Sequence, residues 1–330
     1  MSKRRVHVLF TGGTISMRID PKTGAAVPAM SGEEIVSRVP GLKKDAALTL
    51  ENYARLPGPH VTPPWMWRLR GRVAQLVARP DVDGVVITHG TDTLEETAYL
   101  LDLTLDTEKP VVLCGAMRTI SDPGWDGPAN LRSAVRAAAH ADAGGRGVMV
   151  AVGEEIHAAA EATKWHTQNL AAFRSSRGPI ATLDRGQVVF FRPPQRGPIL
   201  RARRLVAAVD LHVMATGVDD ALLRASLARG ARGLVIEATG CGNIPPAALP
   251  GVRSALAKRV PVVLVSRCAE GRVTPAYGYE GGGLQLQRMG LLFGGDLSGP
   301  KARIKLMVAL GVTREPAQVR RLFETGATGL

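Results

Sequence analysis

The feature that most constrains this chain is an alternation of short β-branched runs with longer Ala-, Leu- and Arg-rich stretches of helical period. Val6–Phe10, Val85–Thr88, Val111–Cys114 and Val148–Val152 are strand-sized runs. Between them, Gly32–Val39, Trp65–Ala78, Thr93–Asp106 and Ala129–Ala143 carry apolar residues at helical spacing. Ser31, with Glu34 three positions on, predicts an N-cap for the first helix. A βαβα rhythm of this kind predicts an α/β fold with a doubly wound, mostly parallel sheet and helices on both faces.

From about residue 178 to 204 the character shifts. GQVVFFRPPQRGPILRARR reads as a hairpin-like strand followed by an extended segment rich in Pro, Gly and Arg, typical of a boundary. The rhythm then resumes with strands at Val206–Val209, Gly233–Glu237 and Val260–Ser266 and helices at Asp219–Arg229 and Pro246–Lys258. Further helices are expected over Pro300–Ala309 and around Glu315–Phe323. A length of 330 residues suits two domains of roughly 150 residues each. The expected organisation is a larger N-terminal α/β domain over 1–190, a linker over 191–212, and a smaller Rossmann-like C-terminal α/β domain over 213–330.

Composition narrows the class. No apolar run approaches the ~18 residues of a membrane helix, and MSKRRVHVLF is too short in apolar residues for a secretory core of ~7–15. Three scattered cysteines, Cys114, Cys241 and Cys268, offer no disulfide framework. A cytoplasmic protein is expected. Lys and Arg total 42 against 29 Asp and Glu, a net charge of +13. Such basicity invites a nucleic-acid reading. Yet 33 of the cations are Arg, they are scattered, and aromatics are only 4% of the chain, so stacking partners are lacking and nucleic acid becomes a minor alternative.

Chemistry is expected at the carboxyl ends of strands, where open α/β sheets bind ligands. Thr11-Gly12-Gly13-Thr14 follows the first strand and offers a tight turn with two hydroxyls. It matches neither a dinucleotide fingerprint nor a phosphate-binding P-loop. Thr88-His89-Gly90-Thr91-Asp92-Thr93 follows the second buried run and holds more hydroxyl and carboxylate than helix capping needs. A hydroxyl there can act as a nucleophile if a base lies close, and neighbouring N–H groups can stabilise an oxyanion. Thr163-Lys164 adds a lysine in a strand-end loop; Gly115-Ala116-Met117-Arg118 and Asp126–Leu131 shape two more.

Together, TGGTIS at 11–16, ITHGTDTLEETAYLLDLTL at 87–105, KPVVLCGAMR at 109–118, DGPANL at 126–131 and TK at 163–164 resemble the bacterial L-asparaginase family, two-domain and threonine-dependent. The order and spacing match over essentially the whole chain, including KARIKLMVAL near its end. The resemblance implies hydrolysis of the L-asparagine side-chain amide by double displacement, with no metal or organic cofactor. It casts Thr14 as nucleophile, Thr91 with Lys164 and Asp92 as the second catalytic group, and Asp92 also as holder of the substrate's α-amino group. Gly58, His60, Gly90, Thr91, Asp92, Ala116 and Asn243 are the implied substrate-binding positions. Asn243, in EATGCGNIP, matches a position that in the family reaches a neighbouring subunit's site, so a homodimer or a dimer-of-dimers tetramer is expected.

Two departures stand out. The loop Met17–Met30 lacks the tyrosine that serves the nucleophilic threonine in well-known members; Tyr277, Tyr279 or Glu280 are the substitutes considered. Where the family grips the α-carboxylate with a Ser-Gln-Asp-like segment, this chain has Gly58-Pro59-His60. These departures motivate an alternative, an amidase of the same mechanism on a different small amide. A tRNA-dependent amidotransferase subunit, whose family adds an N-terminal domain, and a non-catalytic binding protein rank below it.

Overall fold

Strands Gly84–Thr88, Val111–Cys114 and Val148–Val152 are buried at every residue, which places them in the middle of a sheet covered on both faces. The computed structural model describes residues 3–324. The chain divides into two compact units, Met1–Arg196 and Gly197–Leu330.

In the first unit, β1 is Arg5–Gly12, β2 Met17–Ile19, β3 Ala26–Pro28 and β4 Ala47–Leu56. Next come β5 (Gly84–Thr88), β6 (Val111–Cys114), β7 (Val148–Val152) and β8 (Glu155–Ala158). The unit ends with β9 (Ala162–Lys164), β10 (Phe173–Ser175), β11 (Ala181–Asp184) and β12 (Gln187–Phe190). Its helices are α1 (Gly32–Ser37), α2 (Leu42–Asp45), α3 (Pro63–Ala78), α4 (Leu94–Thr104) and α5 (Gly127–Ala139). The main sheet has eight strands in the order β12-β11-β8-β7-β6-β5-β1-β4. β4, β1, β5, β6 and β7 run parallel; β8, β11 and β12 extend it as an antiparallel edge.

The chain leaves β1 for β4 on one side and then crosses to β5 on the other, so the winding reverses beside β1. That reversal opens a crevice at the carboxyl ends of the strands. α5 and the adjoining segments cover one face, with Leu131, Ala134, Val135 and Ala138 packed on Val86, Val112 and Met149. The expected N-cap is present: Ser31 Oγ accepts the N–H of Glu34, and the Glu34 carboxylate accepts the N–H of Ser31.

The second unit holds a parallel sheet of β13 (Val209–Val213), β14 (Gly233–Ala238), β15 (Val262–Ser266) and β16 (Leu292–Phe293), in that order. Its helices are α6 (Ala221–Ala228), α7 (Leu249–Ala257), α8 (Gly283–Met289), α9 (Gly299–Val312) and α10 (Pro316–Glu324). Two local expectations shift. The run Val206–Val209 precedes its strand, because pairing with β14 begins only at Val209 opposite Gly233. Lys164 ends strand β9, paired with Phe173 of β10, where a loop was expected. The segment 17–30 is also more ordered than a loop, since β2 and β3 pair as a short hairpin.

Candidate active site

Three glycines bring three turns together. Gly13, at φ +81°, approaches so closely that a Cβ there would lie 2.5 Å from the Gly90 nitrogen. A Cβ on Gly90 would in turn meet Gly58 Cα at 2.6 Å. Only residues without side chains let the backbones after β1, β4 and β5 touch. Polar contacts fasten them: Thr11 Oγ1 donates to Thr88 O at 2.6 Å, Gly13 N–H to Leu56 O at 2.9 Å, and Thr93 Oγ1 to Gly58 O at 2.9 Å. The β6 end joins through Gly115, where a Cβ would lie 2.9 Å from Thr91 Cγ2; the adjacent Ala116 is fully buried.

Thr14 opens a single 3-10 turn directly after Gly13 and is half-buried. Among the described residues nothing hydrogen-bonds its hydroxyl. Thr91 is buried, and its Oγ1 accepts a hydrogen bond from Lys164 Nζ at 2.9 Å. The same ammonium donates to Asp92 Oδ1 at 2.6 Å. The lysine side chain is 16% exposed and that of Asp92 59%, so the pair lies at the mouth of the crevice with one carboxylate oxygen left over. A Cβ on Gly58 would lie 3.6 Å from that oxygen, Asp92 Oδ2; glycine leaves the space beside it open.

Two supporting residues have no role that the linear sequence assigns. Glu95, nearly buried in the first turn of α4, accepts the backbone N–H of Lys164 through Oε2 at 2.9 Å and so anchors β9 under the site. His89 is completely buried, with Nδ1 2.9 Å from Gly90 O and Nε2 3.0 Å from Thr97 Oγ1. Because the carbonyl can only accept, Nδ1 carries the proton and Nε2 accepts from Thr97. Burial, partly offset by the Gly90 carbonyl, pulls the His89 pKa down to about 4, so the ring is neutral near pH 7. The signal for Glu95 is its place one helical turn after Thr91; nothing in a linear reading announces which backbone it holds.

Asp126–Leu131 forms the frame of the β6 loop. Asp126 accepts the N–H groups of Met117 and Arg118. Asn130 donates to Gly115 O and Asp126 Oδ2 and accepts from Gly153 N–H. Cys114, just before it, is fully buried, and burial pushes its thiol up to about 12, which makes it unreactive.

His60 is exposed at the end of a 3-10 turn that starts at Gly58. Tyr53 stands edge-on to Trp65, and Tyr99 is buried in α4. Tyr277, Tyr279, Glu280 and Asn243 belong to the second unit. The two tyrosines stack on each other at 5.3 Å and are exposed, as is Glu280. Asn243 bridges to Thr239 and accepts the N–H of Gly283 at 3.4 Å.

Comparison with known proteins agrees with this architecture. Residues 5–196 match the sequence model described as "Asparaginase, N-terminal", and residues 208–323 that of the "Glutaminase/Asparaginase C-terminal domain". A probable L-asparaginase of Deinococcus radiodurans is 38% identical, covering 98% of both chains. One of the subunits of the glutamyl-tRNA(Gln) amidotransferase of Methanopyrus kandleri is 33% identical over 98% of this chain and 74% of its own length. The crystal structure of a probable cytoplasmic L-asparaginase from Campylobacter jejuni superposes with a TM-score of 0.87 at 31% identity, covering 98% of this chain and all of that one. Fold and sequence thus define an asparaginase-type amidohydrolase. The chain belongs to the bacterial asparaginase family.

Proposed function

We propose that this enzyme hydrolyses the side-chain amide of L-asparagine to aspartate and ammonia. The observation that carries the reading is the ammonium of Lys164 held between the Thr91 hydroxyl and Asp92, beside the Gly13–Gly90 contact that delivers Thr14. The Thr14 hydroxyl attacks the amide carbon, and its proton passes to the departing nitrogen, which leaves as ammonia. The resulting ester is cleaved by water, which releases aspartate and restores the Thr14 hydroxyl. Lys164 donates to Thr91 Oγ1, so the Thr91 hydroxyl proton is free to point into the crevice toward water. In the water step Lys164, as the neutral amine, takes the Thr91 hydroxyl proton while Thr91 Oγ1 takes one from the attacking water, and the proton is returned to the Thr14 oxygen as the ester C–O bond breaks. The Thr91 backbone N–H is the assigned oxyanion donor. The free oxygen of Asp92, beside the space at Gly58, receives the substrate's α-ammonium.

Gly90 and Ala116 complete the floor, and His60, two residues after Gly58 on the β4 side, is the candidate for the α-carboxylate. Asn243, and with it Tyr279 or Glu280, is assigned to the site of a neighbouring copy in a homodimer or tetramer. A cytoplasmic location accords with the description of the Campylobacter protein. The exposed His60, standing where the family has a gripping hydroxyl and amide, favours a second reading: the same chemistry on a more acidic small amide, toward which a net charge of +13 would steer.

Ammonia release from asparagine, glutamine and a panel of small amides separates the two. Asparagine turnover lost in Thr14→Ala supports the first reading; turnover that survives it removes Thr14 as nucleophile. Ammonia from another amide with none from asparagine selects the second. Tight, steeply salt-dependent tRNA binding would instead align the chain with amidotransferase subunits.

A further inference from the structure

The second unit contains a cavity of about 550 Å³ that the reaction does not use. It lies at the amino ends of β14, β15 and β16, roofed by the end of α9 and by α10, within the range of ~300–1,000 Å³ usual for small-molecule sites. Asn243 and the Tyr277–Glu280 loop follow the opposite, carboxyl ends of the same sheet. Leu256, Leu292, Leu310 and Val319 give it aliphatic walls.

All the charge on its lining is positive: Arg232, Lys258, Arg259, Arg314 and Arg320, with no aspartate or glutamate among the lining residues. Arg320 donates to Gly290 O at 2.8 Å. The side chains of the other four have no ion pair or hydrogen bond among the described residues. Glu315, exposed and next to Arg314 in the chain, does not line the cavity. Cations of one sign around low-dielectric walls focus a positive field into the space between them.

We infer that this cavity binds an aliphatic carboxylate, its alkyl chain against the leucines and its head group on the arginine and lysine rim. A flat aromatic anion such as a nucleotide fits less well, because no Phe, Tyr or Trp lines the cavity to stack on a base. An alkyl chain needs no such partner and is driven in by burial alone. The carboxylate gains charge-assisted hydrogen bonds from the guanidinium groups of Arg232, Arg259 and Arg314, which have no other side-chain partner among the described residues.

Equilibrium dialysis of the full-length protein against decanoate tests this, with decanol and decyltrimethylammonium as neutral and cationic controls. Expected is saturable uptake of one decanoate per chain, weakened by salt, with decanol bound roughly tenfold more weakly or worse and the cation not at all. The triple variant Arg232→Glu, Lys258→Glu, Arg314→Glu should lower decanoate affinity by about tenfold or more. Leu256→Trp, which fills the cavity, should abolish uptake and still melt cooperatively, so it decides the matter if the triple variant fails to fold. No uptake, unsaturable uptake, equal binding of decanol, or unchanged binding in a folded variant would each overturn the assignment.

Discussion

Gly13 and Gly90 meet backbone to backbone, with room for no side chain at either: a Cβ on Gly13 would sit 2.5 Å from the Gly90 nitrogen and 2.6 Å from its Cα. This contact joins the turn carrying Thr14 to the turn carrying Thr91 and Asp92 across the reversal point of the sheet. Gly13→Ala should therefore act twice. Its φ of +81° strains an alanine by about 1–3 kcal/mol, and the added methyl must push the two turns apart. Amide turnover should fall by about a hundredfold, since displacements of ~1 Å at reacting groups cost that much. Near-normal kcat in a folded Gly13→Ala enzyme would show that the two turns need no such contact.

Lys164 and Glu95 should separate in their kinetics. Lys164→Met removes the only described donor to the Thr91 hydroxyl and is expected to lower kcat by about 10²–10⁴. Glu95→Gln keeps an acceptor for the Lys164 N–H and should be mild; Glu95→Ala leaves that amide without its partner and should lower kcat with little change in KM. Equal damage from the glutamine and alanine variants would remove Glu95 as a positioning residue.

His89 gives the fold an acid sensitivity with a defined window. Its folded-state pKa is about 4 against 6.5 for an ordinary histidine, so the unfolded chain takes up this proton first as pH falls. Stability from the neutral ring is fully present above pH 6.5 and is lost progressively down to about pH 4. Denaturant titrations of wild type and His89→Gln across that window should diverge by an amount on the order of 3 kcal/mol, wild type losing more. Parallel curves would show that the ring is not held neutral.

Asn130 is the hub of the DGPANL segment, with both ends of its amide bonded and only 2% of its surface exposed. Asn130→Ala leaves Gly115 O and Gly153 N–H without this partner at a buried position, which should cost about 2–4 kcal/mol. Because Gly115 packs on Thr91, activity should fall together with the melting temperature. A variant that melts like wild type would contradict the role.

Much of the site is legible in the sequence because its chemistry is concentrated in short segments. Thr14, Thr91 and Asp92 stand directly after buried strands, and strand ends follow from hydrophobic period. Lys164 follows from the resemblance to the family, yet its place on a paired strand does not, since three residues of β9 are too few to show periodicity. Glu95 and His89 escape a linear reading because their partners, Lys164 N–H and Thr97 Oγ1, are set by how β9 and α4 pack. Asn243 takes its expected role from the family pattern, and Tyr279 is a candidate because the loop tyrosine is missing; within their own unit, Asn243 holds the start of α8 and Tyr279 stacks on Tyr277.

Sequence by itself determined the class of fold and the two-unit organisation, and it names the side chains expected to react. Local patterning dictates strands and helices, and a reactive group must be spelled out as a residue. Tertiary structure alone decided which backbones touch, which ammonium meets which hydroxyl, and that unpaired cations scattered from Arg232 to Arg314 gather around one cavity. Those relationships arise from sheet order and helix packing, in which residues far apart in the chain become neighbours only after the core has closed.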